Sequence, residues 1–216
     1  MDYELNDQDR ADIVTGFVKK YARWAVLAIV LIALGFGVNT YIQKKTHAMN
    51  EAASMAYQAL LLSIQNKASP TSISEAANTI IVDYPRSVYA SLAELNLADS
   101  AVSQNNLSQA EGILKTTLSK NSDNALTPIV AIRLARVLLA ENNPAAALAV
   151  LKDPPKGFVG SYALLSGDAY VLENNTAMAK QSFQQAAAAS QNNPLISQLA
   201  TERLNAVGVT LSGSAS

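Results

Sequence analysis

Side chains able to do chemistry are few and scattered along this chain. His47 is the only histidine and there is no cysteine, so neither a thiolate site nor a second imidazole is available to share a metal or activate a nucleophile. The carboxylates Asp99, Glu111, Asp168 and Glu173 occur singly, without the paired spacing that acid and base work requires. Asp168, beside Gly167, reads best as a partner for a neighbouring turn. Gly157-Phe158-Val159-Gly160 has the glycines of a phosphate cradle but lacks a following Lys-Ser/Thr and a preceding strand. It reads as the start of a helical hairpin after Pro154-Pro155. Arg133 and Arg136 flank Leu134 and Ala135 on one helix, placed either to reach a peptide's acidic group or to rest in a solvated or salt-bridged position. No catalytic, cofactor-binding or metal site is expected, and the chain is not expected to be an enzyme.

The elements that must position these residues start with the uncharged run Trp24–Gln43, which lies between the basic groups Lys19, Lys20, Arg23 and Lys44, Lys45. Twenty helical residues span about 30 Å, the thickness of a bilayer core, so the run is predicted to be one uncleaved membrane anchor. Trp24 and Tyr41 would mark its two interfaces, and Ala33 with Gly37 would form a small-xxx-small pair able to admit another helix. The basic excess on the N-terminal flank is slight. With the sizes of the two flanking parts, it favours a short tail inside and a large C-terminal domain outside.

Residues 1–23 read as a tail with five acids, Asp2, Glu4, Asp7, Asp9 and Asp12, followed by an amphipathic lead-in carrying Ile13, Val14, Phe17, Val18 and Tyr21. Its first 12 residues are predicted to be mobile. Residues 24–43 are the anchor, 44–207 the outer domain and 208–216 a flexible tail. From Ala48 onward ten Lys or Arg face twelve Asp or Glu, which offers nucleic acid no basic face.

The outer part is rich in Ala, Leu, Gln, Asn and Ser with few β-branched alternations, and it reads as helices joined by short turns. It also repeats. Ala98, Ala110 and Leu114 are spaced by 12 and then 4 across Gln104-Asn105-Asn106. Ala135, Ala147 and Leu151 repeat that spacing across Glu141-Asn142-Asn143, as do Gly167, Ala179 and Phe183 across Glu173-Asn174-Asn175, with Tyr170 completing Gly167-x-x-Tyr170. Small residues on facing helices permit close approach, and the large apolar residue fills the next groove. Successive copies lie 37 and 32 residues apart, bracketing the tetratricopeptide period of about 34. A first long helix is predicted to continue from the anchor to near Asn66, with Ser72–Val82 as a second. Ser54 to Pro85 is read as a degenerate opening hairpin and Pro194 to Val207 as a terminal capping helix. The predicted class is all-α: a single transmembrane helix followed by a tetratricopeptide-like helical-hairpin superhelix.

Order of parts and short motifs together, Ser-Met-Ala-Tyr-Gln-Ala at 54–59, Arg-Leu-Ala-Arg-Val at 133–137 and Gly-Asp-Ala-Tyr at 167–170, resemble the YfgM family of ancillary SecYEG translocon subunits. The resemblance implies a single-pass protein of the bacterial inner membrane, with its N-terminus cytoplasmic and its C-terminal domain periplasmic. It also implies a non-enzymatic adaptor that works with the SecYEG translocon and a PpiD-like periplasmic chaperone on newly exported polypeptides. Where the family carries acidic and lysine-rich turns, this chain has Asn and Gln. Tyr57, Tyr84, Tyr89 and Tyr162 are the aromatic candidates for partner contact in a helical groove, and a place in the core is the favoured alternative for each. The alternative reading is a membrane-tethered regulator whose cytoplasmic tail binds a stress-response factor.

Overall fold

The computed structural model describes residues 7–120, 125–190 and 192–213. Contacts divide the chain into two units, residues 1–52 and 53–216. The first is built on α1 (Asp7–Gln65), which belongs to it as far as Ala52. Helix therefore begins at Asp7, within the acidic segment expected to be mobile. Asp2 and Glu4, and the side chains of Ile13, Val14, Phe17, Val18 and Tyr21, lie outside the described ones.

The anchor expected over Trp24–Gln43 is overturned. Among the described residues no helix is long and apolar enough to cross a membrane. The exposed apolar side chains described there, Trp24, Leu34, Phe36 and Tyr41 among them, are interrupted by Gly35, Gly37, Asn39, Thr40 and Gln43. Among the described residues they do not add up to the roughly 20 consecutive apolar residues that a spanning helix needs. The expectations that depended on the anchor fall with it: a single-pass inner-membrane protein, a cytoplasmic N-terminus, a periplasmic C-terminal domain and a lipid bilayer as partner. Ala33 and Gly37 are exposed, and a Cβ added at Gly37 would meet nothing within 4 Å.

In the second unit the end of α1 is followed by α2 (Pro70–Asp83), α3 (Val88–Ser103), α4 (Leu107–Lys120), α5 (Thr127–Ala140), α6 (Pro144–Val150), α7 (Val159–Leu172), α8 (Thr176–Ala189) and α9 (Pro194–Gly213). Three of the turns share one solution. At Asn105, Asn142 and Asn174 the backbone is left-handed, with φ of 57°, 57° and 58°. Asn tolerates that region better than most residues. The amide after each reaches back to close the helix: Asn106 N–H donates to the Ala101 carbonyl, Asn143 to Leu138 and Asn175 to Tyr170, each at 2.8 Å. The second Asn then starts the next helix, its Oδ1 accepting from Gln109 N–H at 3.2 Å, Ala146 N–H at 3.3 Å and Met178 N–H at 3.3 Å. Each Asn-Asn pair thus ends one helix and caps the next. The turn after α1 has the same left-handed geometry, but at Lys67, with φ 54°.

Packing follows the 12 and 4 spacing. Ala98, Ala110 and Leu114 are buried with Ala135, Ala147, Leu151 and Tyr162 in one core that runs from α3 to α7. Ala179 and Phe183 are buried in a second core with Ala186, Ile196 and Ala200, against which Tyr170 packs. Gly167 is buried too, because a Cβ there would lie 2.3 Å from Phe183 Cε1. The other two copies have Ala and Leu at the corresponding positions, so the third exchanges volume: the small position loses a methyl group and the large one gains a ring. A third core joins Leu60 on α1 to Ala77 and Ile80 on α2 and Ala93 on α3.

Helix α6 has only 7 residues, because Pro154-Pro155 disfavours helix in the chain just before it. Helix α9 runs through Leu211 to Gly213, past the start of the expected tail. Gly157 and Phe158 form the end of a short 3-10 turn that leads into α7.

Candidate functional site

Three adjoining cavities follow one another along α3, α5, α7 and α9, the first helices of successive hairpins and the last helix. The first, about 290 Å³, is lined by Asp99 and Val102 of α3, Leu107 of α4 and Arg133, Arg136 and Val137 of α5. The next, about 430 Å³, shares Arg136 and Ala140 with it and adds Leu164 and Asp168 of α7 and Leu199 and Arg203 of α9. A third, about 180 Å³, shares Asp168 and Arg203 and is closed by Val171 and Phe183.

Charges in this row come from residues about one repeat apart. Arg133 is ion-paired with Asp99, 34 positions earlier, and donates a further bond to the Leu95 carbonyl at 3.4 Å. Arg203 Nε lies 3.3 Å from Asp168 Oδ1. Arg136 is exposed between these pairs and, among the described residues, has no ion-pair partner. Burial pushes the Asp168 carboxyl above the ordinary aspartate value, while the Arg203 and Arg136 guanidinium groups pull it back down.

A further cavity of about 470 Å³ lies between α2, α3 and the end of α4, lined by Arg86, Ser91, Glu94 and Lys120. Its buried Glu94 Oε1 is 3.2 Å from Lys120 Nζ, so that carboxylate is already matched. Among the described residues no group of three His, Cys, Asp or Glu side chains could hold a metal ion. His47 is exposed on α1.

The tyrosines singled out as partner contacts lie away from the arginine row. Tyr57 and Tyr89 have ring centroids 5.7 Å apart and pack with Tyr84 against the Leu60 core. The Tyr57 hydroxyl accepts from Asn96 Nδ2 at 3.0 Å. Tyr162 is 4% exposed inside the largest core, and burial raises its phenol above the usual value. The sequence singles out Arg133, Arg136, Asp99 and Asp168 separately, and Arg203 not at all. The signal was in the numbering, because Asp99 to Arg133, Arg136 to Asp168 and Asp168 to Arg203 are each about one repeat long, and such residues face one another across stacked hairpins.

Comparison with known proteins adds a family. The sequence profile described as a tetratricopeptide repeat-like domain matches residues 16–209. A relative from Neisseria gonorrhoeae named "Ancillary SecYEG translocon subunit" is 29% identical over 183 residues, covering 84% of this chain and 88% of its own. Proteins of the same name from Haemophilus influenzae and Escherichia coli are 27% and 26% identical, covering 95% and 97% of this chain and 99% and 100% of theirs. Among solved structures, "MamA 41-end from Desulfovibrio magneticus RS-1" superposes with a TM-score of 0.51 at 14% identity, covering 78% of this chain and 99% of that one. A second, "MamA RS-1 ArsTM double mutant", gives 0.51 at 13% with the same coverage. At such identity these two likenesses concern the fold alone. Stacked helical hairpins closed by paired asparagines, a profile match over nearly the whole chain and full-length relatives converge: the chain belongs to the tetratricopeptide repeat-like domain family, and the YfgM resemblance read from its motifs holds.

Proposed function

We propose that this protein is a non-enzymatic adaptor that associates with the SecYEG translocon and holds partner polypeptides along the row of cavities on α3, α5, α7 and α9. The observation that carries the reading is the shared name of relatives that align over nearly their whole length, "Ancillary SecYEG translocon subunit". The geometry supports it in kind. Stacked hairpins give an extended surface with apolar walls and a few fixed charges, which suits recognition of a chain better than bond chemistry. Ionisable groups along that surface are largely spent on Arg–carboxylate pairs, which hold α3 to α5 and α7 to α9. A PpiD-like chaperone is the finer part of this proposal, supported by the motif resemblance, and newly exported polypeptides are the matching clients.

The test is co-purification of the tagged full-length chain under gentle detergent extraction, read by mass spectrometry against an unrelated tagged control. Enrichment of SecYEG is the expected result, and enrichment of a PpiD-like chaperone would extend it. Absence of SecYEG from eluates in which the bait is intact would overturn the reading.

A further inference from the structure

We infer that Arg136 is the receiving group of a peptide-binding site selective for a carboxylate set between apolar side chains. The inference rests on the adaptor reading only in taking this row of cavities as the binding face. Three guanidinium groups meet two carboxylates there. Arg133 is committed to Asp99 and the Leu95 carbonyl, and Arg203 to Asp168 at 3.3 Å. The surplus positive charge is therefore centred on Arg136, which is exposed and lines both the 290 Å³ and the 430 Å³ cavities.

The neighbouring groups define the ligand. Asp168, the acid nearest in effect to Arg136, is already held by Arg203 and cannot fully neutralise a second guanidinium. Val102 and Val137 form apolar wall on one side of Arg136, Leu164 and Leu199 on the other. A free guanidinium offers a planar fork that matches a carboxylate in two hydrogen bonds, and partial enclosure by apolar walls strengthens such a pair. The occupant that satisfies both features is an extended segment with an Asp or Glu flanked by Leu or Val. A basic segment would meet net repulsion, and a purely apolar one would leave the guanidinium unpaired.

The full chain would be titrated into three fluorescein-labelled, amide-capped peptides of eleven residues, identical in their Leu and Val positions and carrying Asp, Asn or Lys at the centre. Binding would be read by anisotropy. One charged hydrogen-bonded contact predicts that the Asp peptide binds about tenfold tighter than its Asn twin, with the advantage shrinking as salt rises. Arg136→Gln should abolish that advantage and Arg136→Lys should keep part of it; circular dichroism confirms that the exposed substitution leaves the helices intact. Equal affinity for the Asp and Asn peptides in the unaltered chain would overturn the inference without any variant, as would an advantage that survives Arg136→Gln or no binding of any peptide. Parallel recovery of SecYEG separates the two proposals. SecYEG recovered without an Asp preference sinks the carboxylate site and spares the adaptor, and the reverse pattern sinks the adaptor and spares the site.

Discussion

Gly167→Ala tests how tightly α7 packs on α8. A Cβ at Gly167 would lie 2.3, 2.5 and 2.8 Å from three ring atoms of Phe183, where ordinary carbon contacts are about 3.5–4.0 Å. Phe183 has 0% exposure, so its ring has nowhere to turn. Overpacking of this kind costs about 1–3 kcal/mol, while replacing a mid-helix glycine by alanine returns about 0.5–1 kcal/mol. The net expectation is a loss of up to about 2.5 kcal/mol, and in a domain of this size each kcal/mol lowers the melting temperature by about 2–4 °C. The other two hairpins suggest the remedy, because at the corresponding positions they bury Leu114 with Ala98 and Leu151 with Ala135 in one core. Phe183→Leu alone should destabilise by leaving a void. Combined with Gly167→Ala it should recover at least about 1 kcal/mol relative to the sum of the single changes. Gly112→Ala is the control: nothing lies within 4 Å of its Cβ position on α4, so it should stabilise by about 0.5–1 kcal/mol. Thermal and urea unfolding of the four variants would decide the matter. A Gly167→Ala protein as stable as Gly112→Ala, or strict additivity of the pair, would refute the reasoning.

Lys67 holds a left-handed backbone at φ 54° without the help that Asn gives in the other turns, so Lys67→Gly should stabilise by about 0.5–1 kcal/mol; an unchanged or lowered urea midpoint would count against it. For Asp168 the sign follows from burial, the larger influence on its carboxyl. With its folded value raised above the unfolded one, the folded protein holds that proton at pH values where the unfolded chain has released it. Its contribution to stability is therefore greatest at low pH and declines as pH rises from the ordinary carboxylate range through the raised value. Relative to Asp168→Asn, the unaltered protein should lose ground across that window and stay level above it, as read from urea unfolding at a series of pH values; a difference that moves in its favour with rising pH would contradict the assignment.

Local rules were legible in the sequence because they depend on neighbours in the chain. The Asn-Asn pairs announced helix ends, since one residue must be left-handed and the next must cap, and both needs are met within a few bonds. The repeated 12 and 4 spacing announced which residues would be buried between paired helices, and the short motifs carried the family. What lay beyond local rules depended on distance in three dimensions. Whether the apolar run of α1 formed a spanning helix was not settled by its composition and flanking charges. Arg203 gained meaning only when α9 folded beside α7 and brought it to Asp168, and Arg136 only when its neighbours proved to be already paired. Tyr162 shows the same limit, because an aromatic residue on a helix can be read as contact as well as core until the hairpins stack and close over it. Sequence specifies turns and periods through short-range sterics and hydrogen bonds. Which charges meet and which remain open is decided by the stacking of whole hairpins, whose contacts lie a full repeat or more apart along the chain.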